Sequence, residues 1–271
     1  MWLRFISLLG LAYMLCGCVS TKVLDEPTVA PEGNPLAAAQ DAAMATTLDW
    51  VILRNGPGTW SKNADWDQYL LRIENQSKVA LVLGEIFLED STGTKVYPEL
   101  GRQALRTSSK QVAKRYKDVD VRVKPGTGTE VMVATVIGTT VVGGYVVVAG
   151  GLISSLLSTL GLSTSFGTAL TTAGAALLVA GPATVIRNQR HRREVDARIQ
   201  EFRSDLPYSV APGVVERVVI FFPITPSPRH LVLRYSQGGA VQTLELDTSK
   251  SLDGLHLGVH PLQKLERLQF E

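Results

Sequence analysis

The chain has 271 residues, of which 27 are Lys or Arg and 25 are Asp or Glu, so its formal net charge at pH 7 is only +2. This length is enough for one or two domains with a hydrophobic core. The near balance of charge argues against a nucleic-acid-binding protein, which ordinarily carries a strong basic excess. With only two cysteines, Cys16 and Cys18, the chain has too few thiols for a four-cysteine zinc site or a disulfide framework.

The first residues, 1–17, have the pattern of an export signal. Arg4 supplies a positive charge, and the apolar run 5–15 that follows has the length of a signal-peptide core but is short for a membrane span. The motif Leu15-Cys16-Gly17-Cys18 then resembles the lipobox of bacterial lipoproteins. The resemblance implies cleavage before Cys18 and attachment of lipid, including palmitate, to Cys18. An ordinary signal peptide or an N-terminal anchor helix is the alternative.

The residues after Cys18 suggest a location and a tether. Val19 follows the cysteine, and in lipoproteins of the enterobacterial type a residue other than Asp at this position implies transport to the outer membrane, facing the periplasm. The inner membrane is the alternative location. Residues 18–46 are rich in Pro, Ala and other small residues, which predicts a flexible tether with one or two helical turns in the alanine run.

The most unusual feature is a charge-free segment, residues 131–186, which contains no Asp, Glu, Lys, Arg or His. Its 56 residues are enough for two helical spans of about 20 residues each. The segment therefore predicts a membrane-embedding helical hairpin. It also contains nine Gly and fourteen Ser or Thr, which weaken its insertion compared with a run of Leu, Ile, Phe and Val.

Several glycines of this segment are seven residues apart, which is nearly two helical turns, and such a stripe lets another helix approach closely. The predicted helix-packing residues are Gly144, Gly151, Gly167, Gly174 and Gly181. The spacing resembles the glycine zippers of small bacterial envelope proteins and implies assembly with other helices. The alternative is that these glycines only pack the two helices of one hairpin together.

Basic residues lie on both sides of the charge-free segment. Those predicted to lie at the membrane interface are Lys114, Arg115, Lys124, Arg187, Arg190, Arg192 and Arg193. Because both flanks are basic, we expect them on the same side of the membrane. If Cys18 lies outside the cytoplasm, that side is the periplasm, against the positive-inside tendency of inner-membrane proteins. An outer-membrane location removes this conflict.

Two polar helices are predicted beside the segment, over residues 98–118 and 187–202, because apolar residues recur at helical spacing. Their apolar stripes are Leu105, Val112 and Tyr116 in the first helix and Val195, Ile199 and Phe202 in the second.

Short strands are predicted on both sides of the helical region. Tyr69, Leu71 and Ile73 alternate with other residues at the strand period, and Gly238-Gly239 predicts a tight turn between two strand-like runs. Together the runs favour one antiparallel sandwich of about seven strands, and their order resembles the small immunoglobulin-like modules of bacterial envelope proteins. Two unrelated small sheets are the alternative.

The predicted fold class is therefore α+β, an antiparallel immunoglobulin-like β-sandwich interrupted by a long apolar, glycine-rich helical hairpin. The predicted organisation is a signal peptide (1–17), a flexible tether (18–46), the first half of the sandwich with a basic helix (47–123), the membrane-embedding hairpin with its polar helix extension (124–204), and the second half of the sandwich with a C-terminal tail (205–271).

The sequence carries no motif for a nucleophilic elbow, a phosphate-binding loop or a dinucleotide site. His256 and His260 lie four residues apart with Asp253 nearby, a spacing that would place metal ligands together on a helix. Gly258 and Pro261 argue for a loop instead. No catalytic residue, metal site or cofactor is predicted.

These patterns predict a non-enzymatic envelope lipoprotein, anchored at Cys18, with a hairpin inserted in the membrane and a periplasm-facing sandwich for interaction or assembly. Its expected partners are membrane lipid and either further copies of itself or an envelope protein complex, and no nucleic acid. The alternative is an oligomeric pore-forming or membrane-disrupting protein.

Overall fold

The computed structural model describes residues 21–29, 33–127 and 180–258, and most of the regular structure in them is antiparallel β-sheet. The strands are β1 (Lys22–Val23), β2 (Ala37–Gln40), β3 (Met44–Ile52), β4 (Ser61–Lys62), β5 (Trp66–Asn75), β6 (Leu81–Glu89), β7 (Lys95–Val96), β8 (Tyr208–Val210), β9 (Val215–Pro223), β10 (His230–Gln237) and β11 (Ala240–Asp247). The helices are α1 (Arg102–Asp118), α2 (Ala180–Phe202) and α3 (Ser249–Leu252).

Two antiparallel sheets form the centre of the protein. The first sheet has the order β2-β3-β5-β9, and the second has the order β11-β10-β6, with β7 and β8 both paired to β6. A separate two-stranded sheet pairs β1 with β4. The prediction of antiparallel sheets compatible with a β-sandwich is confirmed.

Each of the two large sheets combines strands from both sides of residues 128–179. In the first sheet β5 pairs with β9 over nine residue pairs, from Trp66 opposite Pro223 to Glu74 opposite Val215. In the second sheet β6 pairs with β10, from Leu81 opposite Gln237 to Glu89 opposite His230. The strands before and after this gap are therefore interleaved in one folded body.

A hydrophobic core lies between the two sheets. In β5 the side chains of Tyr69, Leu71 and Ile73 are fully buried, as their alternation predicts, because every second residue of a strand points to the same face. Leu231 and Leu233 of β10 belong to the same buried cluster from the opposite sheet. The cluster thus has the two-sided composition of a sandwich core.

The hairpin between β10 and β11 has the two-residue turn that the sequence predicts. Gly238 and Gly239 have φ of 55° and 91°, and Gln237 pairs directly with Ala240. Two consecutive positive φ values match the turn type that fits the twist of a β-hairpin, and glycine adopts them without a steric penalty.

The helices α1 and α2, which we term the helical layer, pack on the outer face of the first sheet. In α1 the predicted stripe of Leu105, Val112 and Tyr116 is buried. In α2 the stripe residues Val195 and Ile199 are fully buried. Leu105 and these two α2 residues form a second buried cluster with four residues from the sheet side, namely Trp60, Ala64, Trp66 and Phe221.

The predicted fold class is wrong in its helical part. The described residues are mostly β, with helices of 17, 23 and 4 residues. None of the helices within residues 21–29, 33–127 and 180–258 is long and apolar enough to cross a membrane. From Arg187 onward α2 carries many charged residues beside one apolar stripe, so it covers a sheet face. Residues 131–179 of the predicted hairpin lie outside the described part of the chain.

Part of the predicted tether is also paired β-structure. Ala37 of β2 lies opposite Leu48 of β3, and Val23 of β1 lies opposite Ser61 of β4. The alanine run that suggested a helical turn is an edge strand, because pairing with β3 supplies its backbone hydrogen bonds and outweighs the helical preference of alanine.

Candidate functional site

The chain leaves the sandwich toward the charge-free segment through a short antiparallel pairing, which we term the root: residues 121–127 together with 256–258. Val123 forms a β-bridge with Leu257. The Lys124 N–H donates to the His256 carbonyl at 2.8 Å, and the His256 N–H donates to the Thr127 carbonyl at 2.9 Å. The last described residues before the segment are therefore held by backbone hydrogen bonds.

Gly126 holds the root against the loop after β3. Its φ is +79°, and a Cβ atom built on it would lie 2.6 Å from the carbonyl oxygen of Arg54. Any larger residue would have to move the Arg54 backbone and also adopt a left-handed conformation. The close approach of these two segments therefore requires glycine at position 126.

One residue of the root, His256, belongs to a buried His–Asp pair. The side chains of His256 and Asp67 are both fully buried, with 2.7 Å between Nε2 and Oδ2. The Gly126 N–H donates to Nδ1 of His256 at 3.0 Å. Because Nδ1 accepts this bond, the imidazole proton lies on Nε2 and is donated to Asp67. The pair thus connects three parts of the chain: β5, residues 256–258 of the root, and Gly126.

Two buried polar atoms at this pair lack hydrogen bonds. The Tyr69 hydroxyl and Oδ1 of Asp67 are buried and have no hydrogen-bond partner among the described residues. Burial raises the pKa of the Tyr69 hydroxyl well above its usual value, and the nearby charge of Asp67 raises it further. Tyr69 therefore stays neutral, and its unpaired hydroxyl lowers the stability of this end of the sandwich.

The chain returns from the charge-free segment through α2, which is held mainly by apolar packing. Val195 and Ile199 are fully buried in the cluster with Trp60. The Trp60 ring meets the edge of the Phe202 ring, with 5.5 Å between centroids. At the end of the helix the side chain of Arg203 donates to the Leu100 carbonyl at 2.8 Å.

Both ends of the segment are connected to α1. Leu105 packs in the cluster with Val195 of α2. At the departing end, the Val121 N–H of the root donates to the Tyr116 carbonyl of α1 at 2.9 Å. Arg106 of α1 lies 3.6 Å from Asp65, whose carboxylate also lies 3.6 Å from the guanidinium of Arg54. The departing and the returning ends of the segment are therefore both connected to the helical layer.

This layer is strongly basic. Helix α1 has one acidic residue, Asp118, and six basic residues: Arg102, Arg106, Lys110, Lys114, Arg115 and Lys117. Arg102 is largely buried and pairs with Asp196 of α2 at 3.6 Å. Most of the other basic side chains of α1 face solvent. The helical layer thus presents positive charge beside both ends of the segment.

The structure describes most of the predicted interface residues and places them in the helical layer or the root. Lys114, Lys124, Arg192 and Arg193 are exposed. Arg115 lies 3.6 Å from the buried Asp90, and Arg190 lies 3.3 Å from Glu194. Outside the described side chains lie Cys18, Gly144, Gly151, Gly167, Gly174, Gly181 and Arg187, the last two being backbone positions of α2.

Of the residues that suggested a metal site, His256 and Asp253 lie in the described part of the chain, and they are not arranged as metal ligands. Both ring nitrogens of His256 are engaged, by Asp67 and by Gly126, while Asp253 is exposed at the surface. His260 lies outside the described part of the chain. In residues 21–29, 33–127 and 180–258, no three His, Cys, Asp or Glu side chains are grouped as metal ligands.

Sequence reasoning missed Asp67, Asp65, Arg54 and Arg106. For Asp67 a signal exists, since it has the same parity in β5 as Tyr69, Leu71 and Ile73 and therefore points to the core face. A charged residue at a core position predicts a buried partner. The partner, His256, is 189 residues away, and only the fold brings the two together.

The root can hold and orient a chain segment, because His256 is fully buried and both its nitrogens are bonded. The helical layer adds exposed positive charge beside the root.

Comparison of the chain with protein-family models, with curated proteins and with solved structures found no match.

Proposed function

We propose that the protein is a non-enzymatic lipoprotein of the bacterial cell envelope, attached to the outer membrane through acylated Cys18 and facing the periplasm. The charge-free segment 131–186 supplies a second attachment to lipid. The observation that carries the proposal is that both ends of this segment contact the basic helix α1, the departing end through the hydrogen bond from Val121 to Tyr116 and the returning end through the cluster of Val195 with Leu105. This layer faces the membrane.

The charge-free segment and the basic helical layer both have a composition that favours contact with a membrane. A segment of 56 residues without a charged side chain favours lipid over water. Basic residues beside anionic headgroups contribute about 1 kcal/mol each. Acyl chains add membrane affinity through their buried CH₂ groups, and a second membrane-binding signal strengthens the attachment. The acyl group on Cys18 and the charge-free segment together supply two.

The sandwich is the part available for assembly. The helical layer covers the outer face of the first sheet, so the second sheet faces the opposite direction. On that outward face Phe87 packs under Lys95 and Arg234, whose cationic groups lie 4.7 Å and 5.6 Å from its ring centroid. We propose that this side contacts further copies or an envelope complex, as immunoglobulin-like modules do.

Acylation provides the first test. Wild-type protein and Cys16→Ala should incorporate labelled palmitate in a bacterial host, whereas Cys18→Ala should not. Cys16→Ala is the matched control, because it removes the neighbouring thiol and leaves Cys18. Incorporation that follows Cys16, or no incorporation at all, would contradict the lipoprotein proposal.

Topology provides the second test, with single cysteines introduced in the Cys16→Ala background. Lys124→Cys and Arg193→Cys should both react with a membrane-impermeant maleimide that reaches the periplasm, and Ser163→Cys should be protected. Reaction of Lys124→Cys and Arg193→Cys from opposite sides would show that the two ends of the segment do not lie together.

A further inference from the structure

A cavity of about 220 Å³ lies between α1 and the root and opens to solvent. Its walls combine basic and apolar groups. Arg106 and Lys110 come from α1, while Val123 and Pro125 of the root and Ile224 beyond β9 supply apolar atoms. A cavity of this composition suits a ligand with an anionic group next to a small apolar part.

The positive charge of the cavity is only partly compensated. Arg106 and Lys110 are four residues apart on one helix, where like charges repel. Lys110 is exposed and forms no ion pair with any residue that the structure describes. The Arg106 side chain is 43% exposed, and its Nε lies 3.6 Å from Asp65, too far for a hydrogen bond. Nε of Arg106 accordingly has no hydrogen-bond partner among the described residues.

Among the residues that the structure describes, Asp65 is the only carboxylate that lines the cavity. It is shared by Arg106, which also lines the cavity, and by Arg54, which does not. It lies 3.6 Å from Arg54 and 3.6 Å from Arg106. Arg106 and Lys110 against one Asp leave about one uncompensated positive charge in the cavity wall, and Asp65 is shared with Arg54 as well. Arg54 already donates to Oδ1 of Asn63 at 3.1 Å. An anion with several acceptor oxygens would give the Arg106 guanidinium the hydrogen bonds that Asp65 does not.

We propose that this cavity binds a phosphate group, and specifically the phosphate of an anionic phospholipid headgroup, with Arg106 and Lys110 as its ligands. The apolar wall formed by Val123, Pro125 and Ile224 takes the glycerol end of the headgroup. The cavity is smaller than the roughly 300 Å³ at which pockets for drug-sized ligands begin, so it accommodates a headgroup and leaves the acyl chains outside. The inference rests on the proposed function, because it needs the helical layer at the membrane.

Lipid binding to the full-length protein in neutral detergent tests the proposal. Native mass spectrometry would measure the occupancy of added phosphatidylglycerol, with phosphatidylcholine as the zwitterionic comparison. We expect selective binding of phosphatidylglycerol and a loss of about tenfold in affinity for Arg106→Gln/Lys110→Gln, because charge-assisted hydrogen bonds are removed. Lys114→Gln/Lys117→Gln removes the same charge from exposed positions of the same helix and should bind as wild type does.

Asp65→Asn gives a result of opposite sign. Removing the carboxylate frees the guanidinium group of Arg106, so phosphatidylglycerol should bind several-fold more tightly. A circular dichroism spectrum and a thermal unfolding curve for each variant show that the changes in binding come from folded protein. Unchanged or weaker binding of phosphatidylglycerol by folded Asp65→Asn would overturn the assignment of the Arg106 guanidinium as a ligand of the phosphate group.

Inorganic phosphate separates the two sources of the same chemistry. If it leaves bound phosphatidylglycerol in place at millimolar concentration, the headgroup assignment is supported. If it displaces the lipid and itself depends on Arg106 and Lys110, the site takes free phosphate and the lipid assignment is overturned. Equal binding by the cavity variant and the Lys114→Gln/Lys117→Gln control would overturn the site altogether.

Failure of the cavity proposal and failure of the proposed function give different results. A protein that is acylated at Cys18 and sediments with membranes, but whose lipid binding ignores Arg106 and Lys110, refutes only the cavity. A protein that binds phosphatidylglycerol through the cavity, but is not acylated and does not sediment with membranes, refutes only the lipoprotein proposal.

Discussion

The two ends of the charge-free segment are held by different kinds of interaction. At the departing end, the root is fixed by backbone hydrogen bonds, by the close approach of Gly126 to Arg54, and by the buried pair of His256 and Asp67. At the returning end, α2 is fixed mainly by one apolar stripe, Val195 and Ile199, packed among aromatic rings. The departing end is held by directional hydrogen bonds, and the returning end is held by the burial of apolar surface.

This difference assigns different tasks to the two ends. Hydrogen bonds are directional, so the root sets where the chain leaves the sandwich. Hydrophobic packing is not directional and scales with buried area, so α2 contributes stability and tolerates small changes of angle. We expect single substitutions at the root to act on local geometry, and those in α2 to act on the whole helical layer.

The largest effect is expected for His256→Ala. The substitution leaves Asp67 as a fully buried carboxylate without its partner and removes the acceptor for the Gly126 N–H. Leaving a buried polar group without its hydrogen-bond partner costs about 1–3 kcal/mol and more when the group is charged, so we expect a loss above about 3 kcal/mol. The free energy of unfolding from denaturant titration measures the loss.

The double variant Asp67→Ala/His256→Ala controls this result. It removes both members of the pair, so it should be less destabilised than the sum of the two single variants. Simple additivity would mean that the two side chains do not act as a pair, and the directional description of the root would then fail.

Ile199→Ala breaks the returning end. The side chain is fully buried against the aromatic cluster, and removing a buried Ile side chain down to Ala costs about 2–5 kcal/mol. We expect about 3 kcal/mol, with faster proteolysis of α2 than of β5 or β9. Ala197→Ser, at an exposed position of the same helix, should change stability by less than about 0.5 kcal/mol. Equal losses in both variants would argue against packing on the sheet.

Gly126→Ala separates backbone strain from crowding at the root. Both Gly126 and Gly213 have positive φ, +79° and +68°, but only Gly126 has an atom within the reach of a new Cβ. Gly213→Ala should lose about 1 kcal/mol from the left-handed backbone alone. Gly126→Ala should lose about 2 kcal/mol or more, because contact with the Arg54 carbonyl adds to the strain.

Hydrogen exchange would localise the effect of Gly126→Ala. The Lys124 and His256 amides, which are bonded across the root, should lose protection, while amides in the centre of β5 should not. Equal losses of stability in Gly126→Ala and Gly213→Ala would show that the root moves freely away from Arg54.

Periodicity predicted the elements whose packing is local. The alternation of Tyr69, Leu71 and Ile73 and the helical stripe of Leu105, Val112 and Tyr116 both identify buried faces, because each face is set by the geometry of a single element. The alanine run at residues 37–40 misled the prediction, since its conformation is decided by pairing with β3.

The site needed information that no local pattern contains. Asp67 and His256 are 189 residues apart, and the cavity joins Arg106 to Val123 and Ile224 from three separate segments. The absence of charge from residues 131–186 dominated the predicted fold class, although the described fold is determined by strand pairing on both sides of it. The composition of residues 131–186 predicted a preference for lipid. It gave no information on which parts of the described fold contact each other.

The smallest expected effect, and the one whose sign is most informative, is that of Tyr69→Phe. The Tyr69 hydroxyl is buried without a partner among the described residues, so its removal should be neutral or raise the free energy of unfolding by up to about 1 kcal/mol. Tyr116→Phe is the matched control. Its hydroxyl bonds with Ser91 at 2.9 Å and with the Pro226 carbonyl at 3.3 Å, and its loss should cost about 1 kcal/mol. If Tyr69→Phe is as destabilising as Tyr116→Phe, the hydroxyl beside Asp67 belongs to a satisfied network, and the departing end is more stable than its unpaired groups indicate.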